Sequence, residues 1–393
     1  MRLRKGWKEI KLSELVIINS KTLGDNTPKD FEFKYISLSD VNSGRINKNI
    51  PTIKFSKAPS RARRIVSKGD ILFSTVRPNL EGYFRFNDDA NNVVASTGFA
   101  VLTPKVSSDS GYVYQYLYSN RIKSQIYSLV VGSNYPALNN KDVSNLKIII
   151  PENALERKAI ASLLSVWDEA IEKTERLIEA KERQFNAIVQ KLIDKNCENW
   201  EHKKVKEIFE NYTSKNHPNK ELLSVTQDRG VIPRSHLEGR VMSPNGTTSG
   251  YKLVEPGDFV ISLRSFQGGI EYSNYEGIVS PAYTVLKNKL PLNSEFYRFF
   301  FKTNIFIKKY LRIAIIGIRD GKQVSFPDFE TVKIPYPPLE EQEKISDILN
   351  KAQKEMDILK ELLETYKTQK RGLMQKLLTG KWRVKVNEED KNG

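Results

Sequence analysis

The chain is written twice. Pairing Ile160 with Ile345 sets an offset of 185 residues, which also pairs Leu164 with Leu349, Ile171 with Met356 and Ile178 with Leu363. The same offset carries Gln190-Lys191-Leu192 onto Gln375-Lys376-Leu377. Upstream the match persists in drifting register. Gly69-Asp70-Ile71-Leu72-Phe73-Ser74 answers Gly257-Asp258-Phe259-Val260-Ile261-Ser262, Lys147-Ile148-Ile149-Ile150-Pro151 answers Lys333-Ile334-Pro335-Tyr336-Pro337, and Trp7-Lys8 is echoed by Trp200-Glu201. Two copies at so long a period indicate a duplicated domain with pseudo-twofold symmetry, not a solenoid. Each copy reads as a globular segment followed by a long helix, in keeping with the two or three domains that 393 residues accommodate.

The helices carry the clearest periodicity. In the first copy apolar residues recur at steps of four and three through Ile160, Leu164, Trp167, Ile171, Ile178, Phe185, Ile188 and Leu192, interrupted by Thr174 and Lys181. The second copy runs Ile345, Leu349, Ala352, Met356, Leu359, Leu363, Tyr366, Leu373 and Leu377, interrupted by Lys370. These are coiled-coil seams. Asn153 followed by Glu156 predicts a capping box, Glu340 and Glu341 sit in a first turn where the helix dipole favours them, and Thr379-Gly380 predicts a glycine stop. A pseudo-twofold requires the two seams to run antiparallel, giving a ruler on the order of 50 Å long for some 34 residues. The alternative is a parallel zipper between two chains. The boundaries expected are a domain at 1–152, a helix at 153–195, a domain at 196–338, a helix at 339–380 and a tail at 381–393. The fold class expected is α+β: two mixed α/β domains in a pseudo-twofold arrangement, separated by an antiparallel coiled coil of two long helices.

Charge sorts along these boundaries. Of the net +16, residues 1–154 hold 23 Lys and Arg against 13 Asp and Glu, and residues 196–338 hold 20 against 15. The helical stretches 155–195 and 339–380 are each balanced at 8 against 8. Two basic heads on a neutral spacer suit a polyanion, and double-stranded DNA is the leading partner. A membrane surface is the weaker rival, because neither helix sets a basic face opposite an apolar one. No apolar run approaches the roughly 20 residues that span a bilayer, and no apolar signal segment follows Met1-Arg2-Leu3-Arg4-Lys5, so the chain reads as cytoplasmic. A lone Cys197 excludes an internal disulfide, and His202, His217 and His236 lack zinc spacing. The aromatic stretches Tyr112 to Ile126 and Phe296 to Tyr310 are expected to be core.

Several motifs together resemble the specificity subunit of Type I restriction-modification enzymes, over residues 7 to 386. They are the Gly-Asp-hydrophobic strand, the turn Gly321-Lys322-Gln323-Val324-Ser325-Phe326, the helix entry Pro337-Pro338-Leu339-Glu340-Glu341-Gln342 and the exit Gln375 to Gly380. The first copy departs from this pattern at Gly132 to Leu138 and at Pro151 to Glu156. The resemblance implies two target-recognition domains, each reading half of a split, asymmetric DNA site, and helices that fix the unread spacer. It implies two methyltransferase subunits as partners, which use S-adenosylmethionine for adenine-N6 methylation, and restriction subunits that use ATP and Mg. It also implies that this chain carries no cofactor and no catalytic residue.

The residues independently argue against chemistry. There is no Asn/Asp-Pro-Pro-Tyr/Phe motif, no Gly-x-Gly nucleotide loop and no Walker spacing. Asp328, Glu330 and Lys333 lack nuclease spacing and have a counterpart in Lys141 to Lys147, which marks a repeated structural turn. For contact with DNA, Arg and Lys suit phosphates while Arg, Asn and Gln suit base edges. In the first copy the candidates are a cationic loop with Lys57, Arg61, Arg63 and Arg64, the loop with Arg77 and Asn79, and the turn with Asn134 and Tyr135. In the second copy they are Arg229, Arg234, His236 and Arg240, then Arg264 and Gln267, then Arg319, Lys322 and Gln323. A stand-alone two-headed DNA-binding regulator would share this pattern but bind tightly without a methyltransferase. A scaffold using the coiled coil alone would not explain the charged heads.

Overall fold

The structure, a computed structural model, describes residues 3–47, 49–130, 136–237, 248–262, 270–316, 323–324 and 326–386. It divides into two compact units, Met1–Glu175 with Glu361–Gly393, and Arg176–Lys360.

In the first unit the chain opens with β1 (Trp7–Lys11), which pairs antiparallel with the last strand of the domain, β10 (Lys147–Pro151), from Trp7 opposite Pro151 to Lys11 opposite Lys147. Between them lie β2 (Val16–Ile18), β3 (Glu32–Ile36), β4 (Thr52–Lys54), β5 (Ala62–Val66), β6 (Ile71–Ser74), β7 (Tyr83–Arg85), β8 (Val93–Ser96) and β9 (Phe99–Pro104). They form two sheets, ordered β4-β3-β8-β5 and β2-β9-β6-β7. Within the first sheet β8 runs parallel to β3, and the other neighbours are antiparallel. Helices α1 (Ser110–Leu117) and α2 (Asn120–Val130) follow. They share one core with the second sheet, in which Phe73, Tyr83, Tyr112 and Tyr116 are all 2% exposed or less. Burying side chains of this size stabilises by roughly 1.5–3 kcal/mol each.

All ten strands of this plan recur in the second unit, which adds a short pair at Ile315–Ile316 and Gln323–Val324. Its elements are β11 (His202–Lys204), β12 (Phe209–Tyr212), β13 (Leu223–Thr226), β14 (Gly230–Pro233), β15 (Lys252–Val254), β16 (Phe259–Ser262), β17 (Glu271–Tyr272), β18 (Gly277–Val279), β19 (Tyr283–Asn288) and β20 (Lys333–Pro335). β11 pairs with β20 as β1 does with β10, and the sheet β12-β19-β16-β17 has the order of β2-β9-β6-β7. The pairs β13-β14 and β15-β18 are joined by a parallel bridge from Leu222 to Ile278, so the parallel contact of β3 with β8 recurs too. Even side-chain detail repeats: the Tyr112 hydroxyl donates to the Ile149 carbonyl at 2.7 Å, and the Tyr297 hydroxyl donates to the Pro335 carbonyl at 2.9 Å. The aromatic stretches are core as expected, with Phe296, Tyr297, Phe300, Phe301 and Phe306 fully buried.

The repeated Gly-Asp pair has a structural cause. Gly69 and Gly257 sit at φ +88° and +98°, where an L side chain is strained. Each following aspartate folds back to accept the backbone N–H three residues earlier, Ser67 onto Asp70 and Glu255 onto Asp258, both at 2.8 Å. That closes the turn which launches the buried strands β6 and β16. The arrangement buries both carboxyls, and burial pushes Asp258 up to about 6 and Asp70 in the same direction. A carboxyl whose folded pKa lies above its unfolded value of 3.8 favours folding at low pH and loses that contribution as pH rises through about 6. Asp258→Asn is therefore expected to stabilise the second unit by about 2 kcal/mol at pH 7.5 and by only about 0.5 kcal/mol at pH 4. Urea melts at the two pH values check this, and equal effects at both would contradict it.

Each globular domain leads into one long helix, α3 (Ala154–Val189) after the first and α5 (Leu339–Leu377) after the second, where α4 (Ser294–Phe300) belongs to the domain itself. Asn153 caps α3 by accepting the Leu155 N–H at 2.9 Å. The capping box predicted there does not form, since Asn153 bonds the N–H of Leu155 and not that of Glu156. Glu156 is 2% exposed, and its buried carboxylate is bound in bidentate fashion by Arg383 at 2.6 and 2.7 Å. A guanidinium satisfies a buried negative charge better than one backbone N–H does. Gly380, at φ +70°, ends the second helix as expected.

Within the first unit the start of α3 meets the end of α5. Trp167 packs edge-on to Tyr366 at 5.8 Å, Lys370 bonds Asp168 at 2.5 Å, and Lys367 reaches Glu175 at 3.4 Å. Within the second unit the end of α3 meets the start of α5: Lys181 pairs with Glu355 at 2.7 Å, Lys360 pairs with Glu182 at 2.9 Å, and Phe185 and Ile188 share a core with Ile345 and Leu349. The two helices thus pair antiparallel inside each unit. The interruptions Lys370 and Lys181 both find carboxylates on the opposite helix, the usual way for polar seam positions to fix register.

Candidate nucleic-acid interface

The cationic stretch of the first domain is less of a loop than its sequence suggests. Lys57 ends a short 3-10 turn, Phe55–Lys57, and Arg61 precedes β5, but Arg63 and Arg64 lie on β5 itself. Arg64 lies opposite Ala95 and Ala62 opposite Ser96, so Arg63 is the extra residue of a bulge, where strict strand alternation is broken. Arg63 lies over the Phe55 ring at 5.0 Å and donates to the Ala62 carbonyl. Arg64 donates to the Thr22 hydroxyl at 3.2 Å, and burial lowers its guanidinium pKa. Lys57 and Arg61 are exposed and have no ion-pair partner among the described residues.

Arg77 and Asn79 are exposed on the turn between β6 and β7. The base of this turn is zipped to residues 136–138: the Arg77 N–H bonds the Pro136 carbonyl at 2.8 Å, and the Leu138 N–H bonds the Thr75 carbonyl at 2.8 Å. The turn with Asn134 and Tyr135 lies outside the described residues, but the chain leaving it is thereby held beside Arg77. Lys57 follows β4 and Arg61 precedes β5, which are the two edge strands of the other sheet.

In the second domain Arg229 stands at the β13–β14 turn and donates to the His236 carbonyl at 3.2 Å. His236 and Arg234 share the 3-10 turn Arg234–His236, and the His236 ring meets Tyr275 at 5.9 Å. These three are therefore gathered on one corner. Arg240, Arg264, Gln267, Arg319 and Lys322 lie outside the described residues. Gln323 is placed only by its backbone, on a short strand paired with Ile315–Ile316.

Lys123, Leu80 and Tyr127 are not among the candidates that the sequence offers. Lys123 on α2 pairs with Glu81 at 2.5 Å and so braces the turn that carries Arg77. Leu80 and Tyr127 are 62% and 71% exposed. Only their position beside that turn marks them, and position is not in the sequence.

Of the residues assigned to helix pairing, Ile160 and Leu164 are fully buried in the first unit's core with Met374, Leu377 and Leu378. Ile345 and Leu349 are buried in the second unit's core, against which Phe185 packs. These residues dock helix on domain as well as helix on helix. Ile178, Met356 and Leu363 are buried, whereas Trp167, Ile171, Leu359 and Tyr366 are half-buried. Cys197 is buried, and its thiol is pushed up to about 12, far from a reactive thiolate. Among the described residues no group of three or more His, Cys, Asp and Glu is gathered as a metal site would need, and no helix is long and apolar enough to cross a membrane.

The Type I restriction modification DNA specificity domain model matches the chain twice, over residues 4–182 and 197–367. Two similar proteins come from Methanocaldococcus jannaschii. The putative type I restriction enzyme MjaX specificity subunit is 25% identical over 81% of this chain and 79% of its own length. The MjaVIII specificity subunit is 24% identical over 98% of this chain and 95% of its own. Among solved structures, the S subunit of the Type-I restriction-modification system from M. genitalium superposes with a TM-score of 0.59 at 16% identity, over 98% of this chain and 99% of its own. A chain from a study of complex assembly and conformational transition in the type I R-M system gives 0.60 at 20% identity, over 97% and 100%.

Proposed function

Because the chain belongs to the Type I restriction-modification DNA specificity family, with the family's domain matched twice, we propose that its two domains each read one half of a bipartite, asymmetric DNA site. The observation that carries this reading is the repetition: β1 to β10 recur as β11 to β20, and both heads carry the excess positive charge while the helices are neutral. Two heads on one frame suit two half-sites. The proposed recognition domains are residues 1–152 and 196–338, with residues 153–195 and 339–380 as the spacer. The chain is the non-catalytic, sequence-reading component.

The partners in this reading are double-stranded DNA, two adenine-N6 methyltransferase subunits that bring S-adenosylmethionine, and restriction subunits that bring ATP and Mg. Duplicated helices give two equivalent places for two copies of one partner. Among the described residues, exposed Leu163 on α3 and Ile348 on α5 occupy the same repeat position, 185 apart, and suit such equivalent docking. No observation favours the stand-alone regulator.

Co-expression of the full chain with its methyltransferase in a methylation-free host, followed by single-molecule sequencing, tests the assignment. A bipartite motif with one N6-methyladenine in each half is the expected result, and a stable complex without methylation would refute it. In the same assay, a matched seven-residue insertion in both helices should lengthen the unread spacer by about 3 base pairs, since seven residues add about 10.5 Å and a base pair rises about 3.4 Å. An unaltered spacer would show that the helices do not set it.

A further inference from the structure

Two residues of the turn between β6 and β7 adopt left-handed backbone without being glycine, Arg77 at φ +48° and Glu81 at φ +54°. Such backbone is uncommon outside glycine and persists where the surroundings over-determine it, often at ligand-contacting sites. Here the surroundings do so. The Ser74 hydroxyl donates to the Val76 carbonyl at 2.7 Å, and the Tyr83 hydroxyl, whose ring is stacked on Phe73 at 4.6 Å, donates to the Pro78 carbonyl at 3.2 Å. Lys123 holds Glu81, and Pro136 holds the Arg77 N–H. Pro78 is buried beneath the turn, and Arg77, Asn79 and Leu80 are left facing solvent in a fixed arrangement.

A single exposed leucine needs no explanation by itself. What singles this one out is the internal repeat. Arg77 and Gly82 recur 187 residues later as Arg264 and Gly269, with the same five-residue spacing. Between them the two copies disagree everywhere: Pro78-Asn79-Leu80-Glu81 in one, Ser265-Phe266-Gln267-Gly268 in the other. Two domains that share a frame and read different half-sites must differ where they touch bases, and can agree where they touch phosphate.

We propose that Leu80 is a base-reading side chain of the first domain, its branched methyls meeting the 5-methyl group of a thymine in the major groove, and that Arg77 is a phosphate contact common to both domains. Apolar contact with the thymine methyl and cationic contact with phosphate are the two readouts those side chains are suited to. The proposal rests on the specificity-subunit reading and assigns roles within it.

The experiment uses the full chain with its methyltransferase subunit. In the methylation-sequencing assay, Leu80→Ala should leave the second half-site intact and relax one former thymine position in the first. Arg77→Ala should lower methylation of all sites alike and reduce the slope of log affinity against log salt by about 1. Replacing that thymine by deoxyuracil in a duplex removes only the methyl group. It should weaken the unmodified protein about fourfold, the worth of one buried methyl, and should not weaken Leu80→Ala further. A Leu80→Ala motif identical to the original, or equal sensitivity of both proteins to deoxyuracil, would overturn the assignment. Failure of the unmodified chain to give any bipartite motif would instead remove the reading beneath it. Leu80 is exposed, so matched melting temperatures are expected and separate recognition from folding.

Discussion

Exchanging residues 200–335 for the matching segment of a relative is expected to replace one half of the methylated motif completely and leave the other half unchanged. The geometry favours so clean a graft. The segment enters and leaves through one antiparallel ribbon, His202 opposite Pro335 and Lys204 opposite Lys333, with the Tyr336 N–H on the Glu201 carbonyl at 2.7 Å. Both cut points therefore lie side by side. The graft must respect what faces the helices: Phe299 meets Phe185 at 5.9 Å, and Arg298 bonds Asn350 at 2.6 Å. Keeping Phe296, Arg298 and Phe299 should preserve folding while the rest varies. Methylation sequencing reads the outcome, and a change in both halves would end the model of two independent heads.

The second large effect is on stability. Arg157→Ala is expected to destabilise the first unit by about 3–5 kcal/mol, because it strands a buried carboxylate. Arg157 binds Asp109 through two bonds of 2.6 and 3.2 Å and also donates to the carbonyls of Pro151 and Glu152 at 3.0 and 3.1 Å. Asp109 is 2% exposed. At the equivalent place in the second unit the protein uses no charge at all: Gln342 donates to the Pro337 carbonyl at 2.7 Å and accepts the Asn293 N–H at 2.9 Å. Copying that solution into the first unit, Arg157→Gln with Asp109→Ser, should recover most of the loss, since neutral replacements of buried ion pairs cost little. Denaturant titration followed by limited proteolysis distinguishes the units. A loss below about 1 kcal/mol for Arg157→Ala would place the pair among surface-like bridges.

How much of this was legible in the sequence differed by element. The helices kept a constant offset because an insertion in one helix alone breaks the coiled-coil seam, so Ile160 and Ile345 identify each other at sight. The strands repeat as faithfully, yet their offset slides from 193 residues at Trp7 and Trp200 to 188 at Asp70 and Asp258, since loop length is free wherever the backbone is exposed. Strand pairing such as that of β3 with β8 is a long-range fact with no local signature. Glu156 looked like a capping residue because Arg383, its partner, lies 227 positions away. Arg63 and Arg64 read as a loop because their stretch of β5 carries a bulge and shows no alternation. Leu80 could not be singled out by residue type, as its meaning depends on the backbone of Arg77 and Glu81.

The first unit draws on residues from both ends of the chain, and this governs the order in which the molecule can be finished as it leaves the ribosome. Met374, Leu377 and Leu378 lie in the same core as Trp7, and a Cβ on Gly380 would come within 3.0 Å of the Trp7 indole. The second unit is one uninterrupted stretch, 176–360. The domain translated first therefore cannot be sealed until the last helix emerges, while its later twin can close sooner. During that interval Trp7, Ile160 and Leu164 lack the cover of Met374, Leu377 and Leu378, and it is the nascent first domain that most needs protection from sticky encounters.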